Sequence, residues 1–185
     1  MRYLALAAIV PLGLFQAPQA SANWSLGTNL GVSFVSPDAG DNYTVASWPS
    51  SAELVTPGLR VGFAGTKSPH EGYLETGFLL ISDGATLHVL EVSGNYQYSF
   101  KPEGQTSPYL TAGVGLVNVD NSFTSATSAM FGGGLGIWCR VAADHGRVRA
   151  EVRYDRVSEG DDSGTPVIDK AGIVGIKLGF DLWMK

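Results

Sequence analysis

The feature that most constrains this fold is an alternation of apolar and non-apolar residues with a period of two. Such runs recur about eight times along the chain, because strand side chains point alternately to opposite faces of a sheet. No segment after residue 22 sustains a helical period. The sequence therefore predicts an all-β domain, and its clearest strands are at 24–34, 74–80, 110–116 and 174–184.

Clusters of Pro, Gly, Asp, Asn and Ser separate these runs and predict the connections. The connections after the first, fifth and seventh runs are long, at 36–58, 120–127 and 158–170. Those after the second, fourth and sixth runs are shorter, at 66–69, 101–107 and 142–146. The connection after the third run, 82–85, is an exception, because it is short on the side where long loops are expected. Alternating long loops and short turns are typical of an antiparallel up-and-down barrel in an outer membrane, with the turns in the periplasm. We expect eight strands, which puts both termini in the periplasm.

The first 22 residues are predicted to be a cleaved secretory signal peptide, and residues 23–185 the barrel. Arg2 supplies a positive start, residues 3–15 are almost wholly apolar, and Ala20 and Ala22 are small residues suited to a cleavage site. The apolar run is shorter than the about 20 residues that a transmembrane helix needs. Cys139 is the only cysteine, so no internal disulfide can hold the exported domain together.

The residues between the apolar positions indicate which face of the sheet points inward. The same parity that carries many of the 24 glycines also carries the strand charges, which we predict to form a structural lumen charge network: Arg60, Glu75, Glu91, Arg140, Arg149, Glu151, Arg153, Lys177 and Asp181. Charges in a narrow lumen must pair, and small residues make room for long side chains. On the outside of a soluble barrel, so many glycines would only weaken the sheet.

Aromatic residues lie near both ends of the apolar face. Near the expected periplasmic end are Trp24, Tyr96, Tyr98, Phe100 and Phe180, and near the other end are Phe34, Phe131 and Tyr154. Two aromatic belts are typical of barrels that span a membrane. The pattern favours an eight-stranded antiparallel transmembrane β-barrel over a soluble lipocalin-like barrel, whose apolar face points inward.

Four segments resemble the small OmpA/OmpX-type and opacity-type outer-membrane barrels. They are the Pro-Tyr…Gly-x-Gly segment 108–115, the glycine-rich 131–136, the Glu- and Arg-bearing 149–154, and the last segment 177–184. The resemblance spans essentially the whole mature chain. It implies the outer membrane of a Gram-negative bacterium, with surrounding lipid and lipopolysaccharide as partners, and assembly through the C-terminal strand by the barrel-assembly machinery. The chain departs from the family by ending in Met184-Lys185 instead of Phe, and we expect no peptidoglycan-binding domain after the barrel.

The sequence offers little for catalysis, metal binding or cofactors. A lipid-modifying barrel enzyme needs a hydroxyl activated by a nearby base, but His70 and His145 fall in predicted periplasmic turns and no Ser shares the strand face of His88. We therefore expect no catalytic residue, cofactor or metal. The acidic residues of the last loop lack calcium-loop spacing: Asp161, Asp162 and Asp169. Cys139 is expected to be a small apolar residue on the lipid face, and the formal charge of −5 argues against a nucleic-acid partner.

Three functions remain open. The leading hypothesis is a non-enzymatic outer-membrane barrel with a plugged polar lumen, whose loops 36–58 and 158–170 carry recognition such as adhesion or protection. No motif in those loops names a surface ligand. The alternative is a narrow porin-like channel lined by some of the lumen charges, and the second alternative is a soluble periplasmic ligand-binding barrel.

Overall fold

The computed structural model describes residues 22–38, 40–47, 58–65, 67–83, 85–121, 124–141, 145–162 and 165–184. The predicted signal peptide falls almost wholly outside them, and the first strand begins at its expected last residue, Ala22. The strands within the described ranges are β1 (Ala22–Pro37), β2 (Tyr43–Ser47), β3 (Gly58–Gly65), β4 (His70–Asp83), β5 (Ala85–Ser99), β6 (Thr106–Asn121), β7 (Ser125–Val141), β8 (Gly146–Val157), β9 (Gly160–Asp162), β10 (Thr165–Ile168) and β11 (Ala171–Met184). No helix in these ranges is long and apolar enough to cross a membrane.

Eight of these strands close into one antiparallel barrel, in the order β1, β3, β4, β5, β6, β7, β8 and β11. The last strand, β11, pairs with β1 along its whole length, from Trp24 opposite Met184 to Pro37 opposite Ala171. Closure gives the two outermost strands backbone partners, so the sheet keeps no free edge along β1 and β11. The prediction of an eight-stranded antiparallel up-and-down barrel is confirmed.

Three short strands lie inside segments that the sequence presents as loops. β2 pairs with residues 31–35 of β1, and β3 pairs with residues 22–27 of the same strand, so β2 and β3 follow one another along β1. β9 and β10 form a separate hairpin. The interpretation of 36–58 and 158–170 as loops throughout was therefore wrong in part. Segments of three to five residues are too short for a period of two to stand out.

The two faces of the barrel wall differ sharply in chemistry. Along β11, every second residue from Val174 to Met184 is exposed on the outside, while the residues between them are buried or nearly so. The outward side chains are large and apolar, and Val114 and Leu135 are more than 60% exposed. The buried side chains include eleven charged ones. The barrel is thus apolar outside and largely polar inside, the reverse of a soluble globular domain.

The barrel has two ends, which we name by what they carry. The terminal mouth is the end where β1 begins and β11 ends, near Trp24 and Met184. The loop mouth is the opposite end, where β1 leads towards β2 and the β9–β10 hairpin joins β8 to β11.

Candidate functional site

The lumen is the candidate site, and its charged part centres on Asp181. The Asp181 carboxylate accepts hydrogen bonds from Arg149 Nε at 2.7 Å and Nη2 at 3.0 Å, and from Arg147 Nε at 3.1 Å. A third guanidinium, that of Arg60, lies 3.8 Å away. Asp181 and Arg60 are fully buried. One carboxylate is therefore shared by three arginines, and neither it nor Arg60 has surface exposed to solvent.

Glu71 forms the second centre of this network, closer to the terminal mouth. Its carboxylate accepts from Arg60 Nη2 at 2.8 Å and from Arg147 Nη2 at 2.8 Å. Gln97 bridges the same groups, because it accepts from Arg60 at 3.2 Å and donates to Glu71 at 3.3 Å. The Arg60 guanidinium also lies 3.4 Å from the ring centre of Tyr73, within reach of a cation–π interaction.

Further ion pairs and hydrogen bonds extend the network towards the loop mouth. Asn29 accepts from Arg149 and donates to Glu75, both at 2.9 Å, and Glu75 lies 3.6 Å from Lys177. The other contacts run from Tyr109 to Glu151 at 2.9 Å, and from Arg153 to Asp155 at 2.7 Å and Thr111 at 3.1 Å.

Eight of the nine predicted network residues are buried on the inner face: Arg60, Glu75, Glu91, Arg149, Glu151, Arg153, Lys177 and Asp181. Arg140 instead lies at the terminal mouth, partly exposed, where it donates to the carbonyl oxygen of Pro102. The sequence prediction omitted Glu71, Arg147 and Asp155, which are buried in the same network. They lie on the inward parity at strand ends, so extending the parity rule to the ends would have found them.

The lumen changes character towards the loop mouth, where an apolar layer replaces the charges. This layer comes from seven strands and is made of Val35, Val89, Val117, Ala126, Met130, Val157, Ile168, Ala171 and Ile173. The expectation of a polar lumen throughout was therefore wrong for this end. Valine and alanine occur on both faces of the strands, so these inward residues do not stand out in the sequence.

The β9–β10 hairpin covers this apolar layer. Its last residue, Ile168, is 8% exposed and packs within the layer. A Cβ atom built on Gly160 would lie 3.2 Å from Ile168 Cδ1 and 3.3 Å from Ser128 Cβ, so the hairpin meets the inner side of β7 closely. At its base, the Ser158 N–H donates to the Ala129 carbonyl at 2.9 Å. A segment of the last predicted loop thus packs against the inner side of β7 at the loop mouth.

Replacing Ile168 by Asp is expected to release the hairpin, because a buried carboxylate without a partner is strongly unfavourable. Trypsin cleavage after Lys170 of the folded barrel should then accelerate by about tenfold or more. Ile168→Val, which keeps an apolar side chain of similar shape, should be cut at the wild-type rate. Equal cleavage rates for Ile168→Asp and wild type would show that Ile168 does not anchor the hairpin.

The terminal mouth is an opening of about 290 Å³ lined by aromatic and charged side chains. Arg147 lies between two indoles, with its guanidinium carbon 5.0 Å from the Trp183 ring centre and 5.7 Å from that of Trp138. The Trp138 indole N–H donates to Ser99 Oγ at 3.0 Å. Arginine and indole rings together hold the charged layer in place at this end.

The aromatic residues of the predicted belts are all exposed on the outer wall: Trp24, Tyr96, Tyr98, Phe100 and Phe180 towards the terminal mouth, and Phe34, Phe131 and Tyr154 towards the loop mouth. Neighbouring rings contact edge to face, as in Trp24 with Phe63 at 5.1 Å between centroids. Cys139 is exposed on the same wall, where the Thr106 hydroxyl donates to its sulfur at 3.4 Å.

A shallow groove of about 470 Å³ lies on the outer wall beside the loop mouth. Its lining includes Phe34, Tyr154 and Val174. The ion pair of Arg156 with Asp38 also lines it. The hydrogen bond from Arg156 holds the pKa of Asp38 below the usual value of 3.8. Because this folded-state pKa is depressed, the contribution of the pair is present above the ordinary carboxyl pKa and is lost as pH falls through the lowered one.

The histidines lie apart from one another. The His70 ring contacts the Tyr96 hydroxyl on the outer wall, the His145 carbonyl accepts the Trp183 N–H at 2.8 Å, and His88 is exposed on β5. Asp161 and Asp169 are exposed, and the side chain of Asp162 lies outside the described part. Within that part, no group of three or more His, Cys, Asp and Glu residues could hold a metal ion.

No protein-family model matches the chain, and no curated protein matches it in sequence. Among solved structures, Neisserial surface protein A is similar with a TM-score of 0.63 at 11% identity, over 86% of this chain and 96% of that one. Ail, the attachment invasion locus protein of Yersinia pestis, is 14% identical with a TM-score of 0.49, over 88% of this chain and 99% of Ail. The outer membrane enzyme PagL is 16% identical with a TM-score of 0.40, over 83% and 98%. At identities this low, the likeness concerns the fold alone. The chain has the fold of the small eight-stranded outer-membrane β-barrels.

Proposed function

We propose that this chain is a non-enzymatic outer-membrane barrel protein with a closed lumen, whose loop mouth faces the cell exterior. The rim and loops at that mouth then form a surface for recognition, in adhesion or in protection of the cell. The observation that carries the proposal is the succession of two different layers inside the barrel: the charged network around Asp181 and the apolar layer that includes Ile168.

The chemistry of the wall supports a membrane location over a soluble periplasmic barrel. An apolar surface this large would be an aggregation hazard in water, whereas in a bilayer it faces hydrocarbon. A soluble ligand-binding barrel needs an apolar interior, but this interior holds many buried charged side chains, among them those of Arg60 and Asp181. In this placement both termini are periplasmic, and lipid and lipopolysaccharide surround the outer wall.

The two layers oppose passage for different reasons. A solute entering at the terminal mouth meets guanidiniums and carboxylates that are already paired, and separating them in a dry space is costly. A solute entering at the loop mouth meets the apolar layer, and a narrow apolar constriction excludes water and ions. An eight-stranded barrel is just wide enough for its own side chains. Together these features favour a closed barrel over the narrow porin-like channel.

The wild-type protein in a planar lipid bilayer is therefore expected to show no steady unitary current. Electrophoresis before and after boiling provides the control, because a folded membrane barrel changes mobility when it is boiled. Protein that shows no unitary current but does show the mobility shift fits the proposal. Steady unitary currents that change when lumen residues are substituted would establish the channel instead, and recovery in the soluble periplasmic fraction would favour the soluble barrel.

The closing strand supports a proposal about assembly. β11 pairs on one side with β8 and on the other with β1, so its insertion completes the barrel. Its outward residues alternate as large apolar side chains up to Met184. We expect the barrel-assembly machinery to recognise this strand while its edges are still unpaired.

A further inference from the structure

We propose that the outer-wall groove beside Arg156 binds a phosphate-bearing lipid of the leaflet that surrounds the loop mouth. The inference rests on the membrane placement proposed above and adds a defined site to it. Its three parts are a cation at the boundary of the apolar band, a groove beside that cation with several apolar side chains, and an acidic side chain at the position that the phosphate would take.

The first part is the position of Arg156. Of the lysines and arginines in the described strands, Arg156 is the one on the outward-facing parity, and all the others lie on the inward parity. It follows Tyr154 by two residues and precedes the end of β8 at Val157. An outward cation directly beyond the last outward aromatic is placed where hydrocarbon gives way to headgroups, because its stem can lie along apolar surface while its charge reaches water.

The second part is the shape of the wall below Arg156. Phe34 and Val174 are about half exposed and flank the groove, and Tyr154 lies across it. A Cβ atom built on Gly172 would lie 3.0 Å from the Tyr154 hydroxyl oxygen, so the glycine lets the phenol ring lie over β11. The rest of the lining is largely polar and includes Ser36, Asn42 and Thr44. Apolar side chains beside a cation complement a molecule with a hydrocarbon chain and an anionic head.

The third part is Asp38, which lies in the segment after β1 and accepts a hydrogen bond from Arg156 Nη2. Its side chain is 50% exposed and that of Arg156 is 32% exposed, and an ion pair this open to water is weak. A phosphate presents the same geometry of acceptor oxygens to a guanidinium and carries more negative charge than a carboxylate. It can therefore exchange with Asp38 at Arg156.

Other groups near the ion pair set the charge against which a phosphate would bind. Lys170, whose carbonyl accepts the Asp38 N–H at 2.8 Å, adds a positive charge but lies 3.4 Å from Glu159. Two cations and two carboxylates add up to no net charge here. The charge of Asp38 therefore decides whether the surroundings of Arg156 attract an anion. Asp38 is then a competitor for the phosphate, and removing its charge should favour binding.

Substitutions at the two partners of the ion pair should therefore change the affinity for the lipid in opposite directions. Arg156→Gln should weaken binding of a bis-phosphorylated glycolipid by about tenfold, and Arg156→Lys by less, because it keeps the charge but loses the bidentate geometry. Asp38→Asn should strengthen binding by about threefold, because it removes the competing carboxylate. Native mass spectrometry of the folded barrel in detergent, titrated with that glycolipid, measures all four proteins.

Two further probes identify the source of the effect. The dephosphorylated form of the same glycolipid should bind all variants equally, because it lacks the phosphate that Arg156 would contact. Inorganic phosphate alone should bind far more weakly than the glycolipid, because it lacks the hydrocarbon chain. The inference is overturned if Asp38→Asn and Arg156→Gln shift glycolipid binding in the same direction, if neither shifts it, or if the dephosphorylated lipid follows the same order.

The mobility shift on boiling separates this inference from the membrane placement. If the variants keep the mobility shift but do not change glycolipid binding in opposite directions, the lipid site is refuted and the proposed membrane placement is unaffected. Loss of the shift in the wild-type protein would count against the membrane placement itself.

Discussion

Replacing Asp181 by Asn is expected to lower the free energy of unfolding by about 3–5 kcal/mol, because removing one partner of a buried ion pair leaves the other charges uncompensated. The Asp181 carboxylate accepts hydrogen bonds from Arg149 and Arg147 and forms a longer ion pair with Arg60, and it is fully buried. An amide supplies one acceptor oxygen and no charge. Urea unfolding of the barrel in lipid vesicles, followed by tryptophan fluorescence, measures the loss.

The exposed Asp161 provides the matched control, since Asp161→Asn makes the same chemical change on the hairpin. We expect no measurable change in unfolding for that variant. Adding Arg149→Met to Asp181→Asn should recover part of the lost stability, because it removes one of the uncompensated cations. A wild-type urea midpoint for Asp181→Asn would contradict the assignment of this carboxylate as the centre of the network.

Replacing Gly132 by Ala is the second substitution with a large expected effect. A Cβ atom on Gly132 would lie 2.0 Å from Asp155 Oδ1, 2.3 Å from the Tyr154 carbonyl oxygen and 2.7 Å from the Asp155 Cα. Two of these are backbone atoms of the neighbouring strand, so β7 and β8 would have to separate. Overpacking of this kind costs about 1–3 kcal/mol, and a lower yield of barrel with the boiling-dependent mobility shift should accompany it.

Gly72→Ala tests whether the steric contact, and not the loss of a glycine as such, causes this effect. Gly72 also lies in a strand, but a Cβ atom there meets no heavy atom within 4 Å. We expect this variant to match or slightly exceed the wild type in stability, because alanine has less conformational freedom to lose on folding. Equal losses for the two alanine variants would argue against close packing of β7 on β8.

The eight-stranded barrel was predictable because its signals are local. Alternation in runs such as 110–116 and 174–184 is a property of neighbouring residues, and so is the confinement of charge to one parity. The same rule predicts Arg60, Arg149 and Asp181 on the inner face, and all three side chains are buried. Arg140 has the same parity but lies partly exposed at the terminal mouth, because it comes at the end of a run, where parity alone does not separate lumen from mouth.

The apolar layer and its cover were not predictable in the same way. Val35 and Val117 suit either face of a strand, so their inward placement gives no sequence signal. Ile168 reaches the layer only because a short hairpin folds back onto β7. The contact between Asp38 and Arg156 joins residues 118 positions apart and depends on where β1 and β8 end around the closed barrel.

The period of two, the chemistry of the two faces and the number of barrel strands can be read from the sequence alone, because each depends on residues that are close in the chain. Which charges meet, as Asp181 does with Arg149 and Arg60, depends instead on how the strands are arranged in the closed barrel. The physical reason is register. Closing the barrel between β11 and β1 sets the stagger of all the strands, and with it the height at which each inward side chain enters the lumen.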